Sequence, residues 1–171
     1  DPDVIGWRMQ VGDRRALLTD LLKVRLILEP AVAREATLAA TPEGKKRFAA
    51  AWAAKRALVG DKNADDKARR DAFIAADLEF HRALLSSIGS ELLDQLFSVI
   101  EAALALEFDL QMLARGSKTR LVGMEESMAM HEAVYLRFMA GDAPGAESAM
   151  RWLIERAIQD AESGLALIEK G

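Results

Sequence analysis

The sequence predicts an all-α protein, an antiparallel bundle of six or seven helices. Three observations predict it. Alanine and leucine dominate, while glycine (11 of 171 residues) and proline (4) punctuate rarely. Apolar residues recur at spacings of three and four along most of the chain. No stretch alternates with the period of two that a half-buried strand needs.

Each element has its own signals. After an irregular opening, DPDVIGWRMQVG, a first helix is expected from about Asp13 to Ala39, with Leu17, Leu21, Val24, Leu28 and Ala31 on one side. Pro30 lies inside it; proline cannot donate to the carbonyl of Leu26 and crowds it, which predicts a kink. Thr41 is placed to cap a second helix over TPEGKKRFAAAWAAKRALVG, and the polar GDKNADD connects it to a third, which carries DAFIAADLEFHRALLSSIG and ends at Gly89. A fourth helix follows from Ser90 through ELLDQLFSVIEAALALEFDLQML, and ARGSKTR is the most loop-like piece of the interior. The fifth helix ends at Gly141. Asp142 caps a sixth, which holds Pro144 in its first turn and turns Met150, Leu153, Ala157, Ala161 and Leu165 inward. The order contains no internal repeat, low-complexity tract or second domain boundary.

The bulk numbers narrow the function. At 171 residues the chain reads as one domain able to bury about 70% of its unfolded surface, so neither disulfides nor metal are needed for folding. It has no cysteine, which excludes a disulfide framework, thiolate zinc sites and cysteine nucleophiles and suits a reducing cytoplasm. Net charge is -4, with Lys and Arg spread among Asp and Glu, so this segment carries no nucleic-acid footprint of its own. No apolar run approaches the roughly 20 residues of a membrane span, and no basic-then-apolar leader opens the chain, so a soluble cytoplasmic protein is expected. Because the first residue is Asp1, a further segment is expected upstream.

One stripe breaks the apolar pattern. On the third helix Ile74, Asp77, His81, Leu84 and Ile88 share a face, so a carboxylate and an imidazole point inward, where an unpaired polar group costs roughly 1–3 kcal/mol. His131, the other of the two histidines, lies on the fifth helix in line with Met124, Met128, Tyr135 and Phe138 and should also face the core. Asp77 and His81, four apart, stand one above the other on a helix, and His131 can complete a ligand set from a facing helix. Two imidazoles and a carboxylate suit Zn, Ni, Fe or Mn, with positions left open for water or a bidentate ligand. The plainer alternative is that Asp77 and His81 satisfy each other while His131 finds a carbonyl or hydroxyl.

Other chemistry fits poorly. Neither histidine has a Glu three residues before it, which argues against a carboxylate-bridged di-iron bundle. There is no phosphate-cradling glycine loop, and the serines of LLSSIGS lack the strand-turn-helix setting of a nucleophile elbow. Arg25 precedes Glu29 by four residues. That spacing makes an ordinary helical ion pair, or, if Arg25 faces the polar cluster, a fork able to clamp a carboxylate.

VRLILEP at 24–30, DLEFH at 77–81 and HEAVYLRFMAGDAPGAESAM at 131–150, in that order, resemble the effector-binding domain of GntR-family transcription regulators of the FadR type, the FCD domain. The resemblance covers nearly the whole chain. It implies an FCD-like helical bundle that dimerises, follows an N-terminal winged helix-turn-helix and alters DNA affinity when a small molecule enters its core. Residues 1–12 would then be a linker from that missing domain, and residues 13–171 the effector-binding and dimerisation domain. The resemblance also implies a divalent metal, zinc or nickel foremost, held by Asp77, His81 and His131. The family's fourth ligand falls at Leu153, which offers none. Arg25 matches a first-helix arginine and becomes a candidate partner for an effector carboxylate, and DPDVIGW resembles the linker of regulators of sugar-acid use.

The expected function is therefore the ligand-sensing domain of a homodimeric repressor. A small organic acid, a sugar acid by the linker, would bind through Arg25, Asp77, His81 and His131, and operator DNA would be held by the missing domain alone. The alternative is a metal-dependent enzyme using the same triad to activate water, but the motif leaves no carboxylate free to act as base.

Overall fold

The computed structural model describes residues 14–60, 66–114 and 124–168. They form six α-helices: α1 (Arg14–Ala39), α2 (Pro42–Gly60), α3 (Asp66–Ser86), α4 (Glu91–Ala114), α5 (Met124–Met139) and α6 (Ala143–Ile168). The described residues contain no strand, in agreement with the all-α expectation. The expected linker over residues 1–12, residues 61–65 of the polar connection and residues 115–120 of ARGSKTR lie outside the described residues.

The helix ends follow the local chemistry. Thr41 Oγ1 accepts from the amide of Gly44 (3.0 Å), capping α2, and Asp142 Oδ1 does the same for Gly145 (3.0 Å) at α6. Gly89 and Gly141 take positive φ (77° and 73°), the left-handed conformation that lets the chain leave α3 and α5. Gly44 serves a different end. A Cβ there would come within 2.8 Å of the Cα and carbonyl oxygen of Ser87, so only glycine lets the start of α2 lie against the end of α3. The helix α1 runs unbroken through Pro30.

Packing centres on α6, which lies against α1, α4 and α5, while α2 closes the far side against α3 and α5. The largest core cluster joins Phe48 and Trp52 of α2, Phe80 of α3, Val134 and Phe138 of α5, and Met150, Leu153 and Ile154 of α6. The Phe48 ring lies 4.8 Å from both Phe80 and Phe138, and Tyr135 stacks on Trp52 at 5.7 Å. Such aromatic contacts add about 0.5–1.5 kcal/mol each beyond the area they bury.

The stripes predicted for α3, α5 and α6 do turn inward, with His81, Leu84, His131, Phe138, Met150, Leu153 and Ala161 buried and Ile74, Met128, Tyr135 and Leu165 half-buried, and α5 also buries Met130 and Val134 beside its stripe. The stripe predicted for α1 does so only in part. Leu17 and Leu21 are buried, but Val24 and Ala31 face out, and the buried face runs through Leu18, Leu22, Arg25, Glu29, Val32 and Ala36. The physical reason is that Arg25 and Glu29 pair with each other, with His81 beside Glu29, which offsets much of the cost of burying two charges.

A candidate ligand site in the bundle core

Four helices deliver charged or imidazole side chains to one place. The α3 turn from Asp77 to His81 puts both on its inner face, α5 supplies His131, α1 supplies Arg25 and Glu29, and α2 supplies Lys55. Five of these six are buried, and Asp77 is the partial exception. Arg25 Nε donates to Glu29 Oε1 at 2.6 Å. The other oxygen of Glu29 stands 2.7 Å from His81 Nδ1, close but off the line of a good hydrogen bond. On the other side of the site, the Lys55 ammonium donates to Asp77 Oδ1, and its Nζ sits 4.3 Å from the Phe73 ring centre. His131 Nε2 lies 3.1 Å from the same Asp77 oxygen.

The electrostatics follow from these pairings. Burial pushes the Glu29 carboxyl up, but Arg25 and His81 more than offset it and hold it at about 2. Asp77 behaves likewise: burial raises it, and the Lys55 ammonium foremost brings it well below the usual carboxylate range. Burial lowers Lys55, opposed by Asp77. Burial and the Lys55 charge lower His131 to about 4, so its ring is neutral near pH 7.

That neutrality matters because His131 Nδ1 lies 2.7 Å from the carbonyl oxygen of Ser127, which can only accept. The one ring proton is therefore on Nδ1, and Nε2 presents a lone pair to the Asp77 carboxylate with no hydrogen between them. Two lone pairs at 3.1 Å are a poor contact for a closed core and a good one for two ligands of a single cation, whose bonds of about 2.0–2.2 Å set donors roughly 3 Å apart. One ligand atom from each of Asp77, His81 and His131 lies within 4.8 Å of the others. In both histidines Nδ1 is turned to an oxygen acceptor, the arrangement that orients a metal-binding imidazole and leaves Nε2 as its donor. The residues present thus fit a divalent cation on two nitrogens and one oxygen.

The cluster borders a small cavity of about 30 Å³, room for an ion or a water or two, lined among others by Arg25, Asp77, His81 and His131 together with Leu153, Arg156 and Asp160 of α6. Leu153 thus faces the site, at the position where the resemblance places a fourth ligand. At the cavity wall Arg156 reaches Glu126 Oε1 at 3.1 Å and Asp160 Oδ1 at 3.3 Å.

All four residues singled out from sequence meet here. The plainer pairing of Asp77 with His81 is not the one formed, because each takes a partner from another helix, whereas His131 does find a carbonyl. The helical pairing of Arg25 with Glu29 forms as the spacing predicts, but it is enclosed in the core and not solvated. Sequence reasoning missed Lys55, Arg156 and the contact of Glu29 with His81. A signal for Lys55 existed, since it continues the stripe of Phe48, Ala51 and Trp52 at helical spacing, and all four are buried.

Fold and site together define an all-helical bundle whose core holds a polar cluster beside a small cavity. Residues 20–156 match the FCD domain, and the chain belongs to that family. It is 27% identical over 154 residues to the galactonate operon transcriptional repressor of Escherichia coli (strain K12), a match covering 84% of this chain and 58% of the relative's length. Its fold is similar to that of Streptococcus agalactiae GntR, with a TM-score of 0.66 at 20% identity, over 87% of this chain and 61% of that one. The expected GntR-type recognition and all-helical fold therefore stand. The sequence relative is a transcriptional repressor, which weighs against the metal-dependent enzyme considered from the triad.

Proposed function

We propose that this chain is the ligand-sensing and dimerising domain of a DNA-binding transcription regulator, a repressor that takes a small sugar acid into the bundle core. The observation that carries the reading is the convergence of Arg25, Asp77, His81 and His131, from α1, α3 and α5, on one cavity. Asp77, His81 and His131 would hold a divalent metal, zinc or nickel, which when bound supplies a Lewis-acidic centre for a carboxylate or hydroxyl oxygen. Arg25, already fixed by Glu29, gives the acid's carboxylate a positively charged wall. Similarity to a galactonate operon repressor supports the sugar-acid class.

Control of DNA is assigned to a preceding winged-helix domain, joined through residues 1–12 to the start of α1. An acid that binds two arrangements of the domain unequally shifts the balance between them, and α1, which carries Arg25 and Glu29, is the element through which that shift reaches the DNA reader. Val24 and Ile27 of α1 and Leu92 and Leu96 of α4 are exposed apolar residues on two helices that pack together, and they favour a homodimer through this side. A cytoplasmic location accords with this role; among the described residues no helix is long and apolar enough to cross a membrane.

The test is a thermal-shift screen of five- and six-carbon aldonates, galactonate included, with and without Zn²⁺ or Ni²⁺, followed by calorimetry. At least one acid should raise the melting temperature, and His81→Ala should weaken it by more than about tenfold. A screen in which no acid shifts the transition, with or without metal, removes the sensor reading.

A further inference from the structure

Lys55 is the feature of the site that its expected chemistry does not use. Its side chain is fully buried, and α2 contributes no residue to the cavity wall, so the ammonium lies behind Asp77, away from the cavity. Asp77 stands between them. The oxygen that accepts from Lys55 is the one that His131 Nε2 approaches at 3.1 Å, the atom best placed to join His131 around a cation.

The geometry points to Lys55 as a fixed counter-cation that weakens the hold of Asp77, His81 and His131 on a divalent metal. The inference rests on the metal reading given above and adds a control to it. Two effects work in the same direction. An ammonium that already draws on Asp77 Oδ1 reduces what that oxygen can donate. It also sets a positive charge within about one contact and one coordination bond of the ion, inside a core where water screens little. Leu153, which also lines the cavity, compounds this by supplying no fourth ligand. The site is thereby held at an affinity where the ion exchanges with its surroundings instead of being a permanent structural part.

Three substitutions separate charge from shape. Lys55→Met removes the charge and keeps the apolar stem; Lys55→Gln removes the charge but keeps a donor for Asp77; Lys55→Arg keeps the charge. Zn²⁺ affinity is measured by competition with a chromophoric chelator near neutral pH, with circular dichroism to confirm the fold and His131→Ala as the reference for site-specific binding. Lys55→Met and Lys55→Gln should bind at least about tenfold tighter than the unaltered chain, and Lys55→Arg about equally. If Lys55→Met does not fold, Lys55→Gln alone decides. Binding that depends on His131 but is unchanged or weakened by loss of the Lys55 charge overturns the role of Lys55 and leaves the metal site standing. Absence of any His131-dependent binding, in the unaltered chain and in every Lys55 variant, overturns the metal reading itself.

Discussion

Replacing Arg25 with methionine keeps most of its volume and removes only the charge and its donors. In a solvated helical pair the cost would be a few tenths of a kcal/mol. Arg25 and Glu29, however, are 2% and 0% exposed, with Nε and Oε1 2.6 Å apart, and the remaining contact of Glu29 is His81 Nδ1 at 2.7 Å. The substitution therefore strands a carboxylate that water cannot reach. Breaking a buried pair from one side costs about 3–5 kcal/mol, which for a chain of this size lowers the melting temperature by roughly 10 °C. The double variant Arg25→Met with Glu29→Met leaves no stranded charge and should recover most of the loss, because an apolar pair of similar volume is often no less stable than the ions it replaces. Urea unfolding of the two single variants and the double variant closes the cycle, with a coupling of at least about 2 kcal/mol expected. A loss below about 1 kcal/mol in Arg25→Met would mean that water reaches Glu29 after all, and the enclosed-pair argument would fall.

Gly44→Ala should cost about 1–3 kcal/mol, since its Cβ meets the backbone of Ser87 at 2.8 Å and backbone cannot swing aside; thermal melts check it, and a neutral result would mean that α2 and α3 part easily. In the metal-free protein, stability should fall with pH over two successive intervals. His131 is held at about 4 against an ordinary 6.5, and Glu29 at about 2 against 4.5, so in each interval the unfolded chain binds more protons and stability falls as pH falls. Each loss is on the order of 3 kcal/mol, for His131 as pH falls from 6.5 to about 4 and for Glu29 as it falls from 4.5 to about 2. Urea midpoints that stay constant between pH 7 and about 4 would contradict the neutral, enclosed His131.

Much of this was legible in the sequence because periodicity reports which face of a helix turns inward. Asp77, His81 and His131 stood out as polar residues on otherwise apolar stripes, and α5 and α6 declared their buried faces through Met124, Phe138, Met150 and Leu153. Pairing across helices leaves no such trace. The α1 face was misjudged since Arg25 and Glu29 read as a solvated couple until His81, more than fifty residues away in sequence, is seen to meet Glu29. Lys55 was passed over for the same reason: a lysine beside Phe48 and Trp52 looks like the edge of a stripe, and only Asp77 on a different helix explains why it can be buried. Spacing identifies candidates for burial; charge compensation, a property of the assembled bundle, decides which of them are admitted.

The same compensation bears on how ligands would enter. Two carboxylates, Glu29 and Asp77, are matched by two cations, Arg25 and Lys55, each pair in direct contact. On the reading proposed above, a dication entering alone adds two positive charges beside Lys55, and an acid entering alone adds a negative charge between Glu29 and Asp77. Each is opposed. Entering together they largely offset one another, so the site should bind metal and acid with positive coupling, and linkage requires the two affinities to rise by the same factor. Calorimetric titration of an active aldonate at zero and saturating Zn²⁺, and of Zn²⁺ at zero and saturating aldonate, closes that cycle. A factor of at least about five is expected for a coupling of 1 kcal/mol or more. Equal affinities in the presence and absence of the other ligand would show that the acid binds away from Asp77 and His131, and that the charge balance of the core is structural alone.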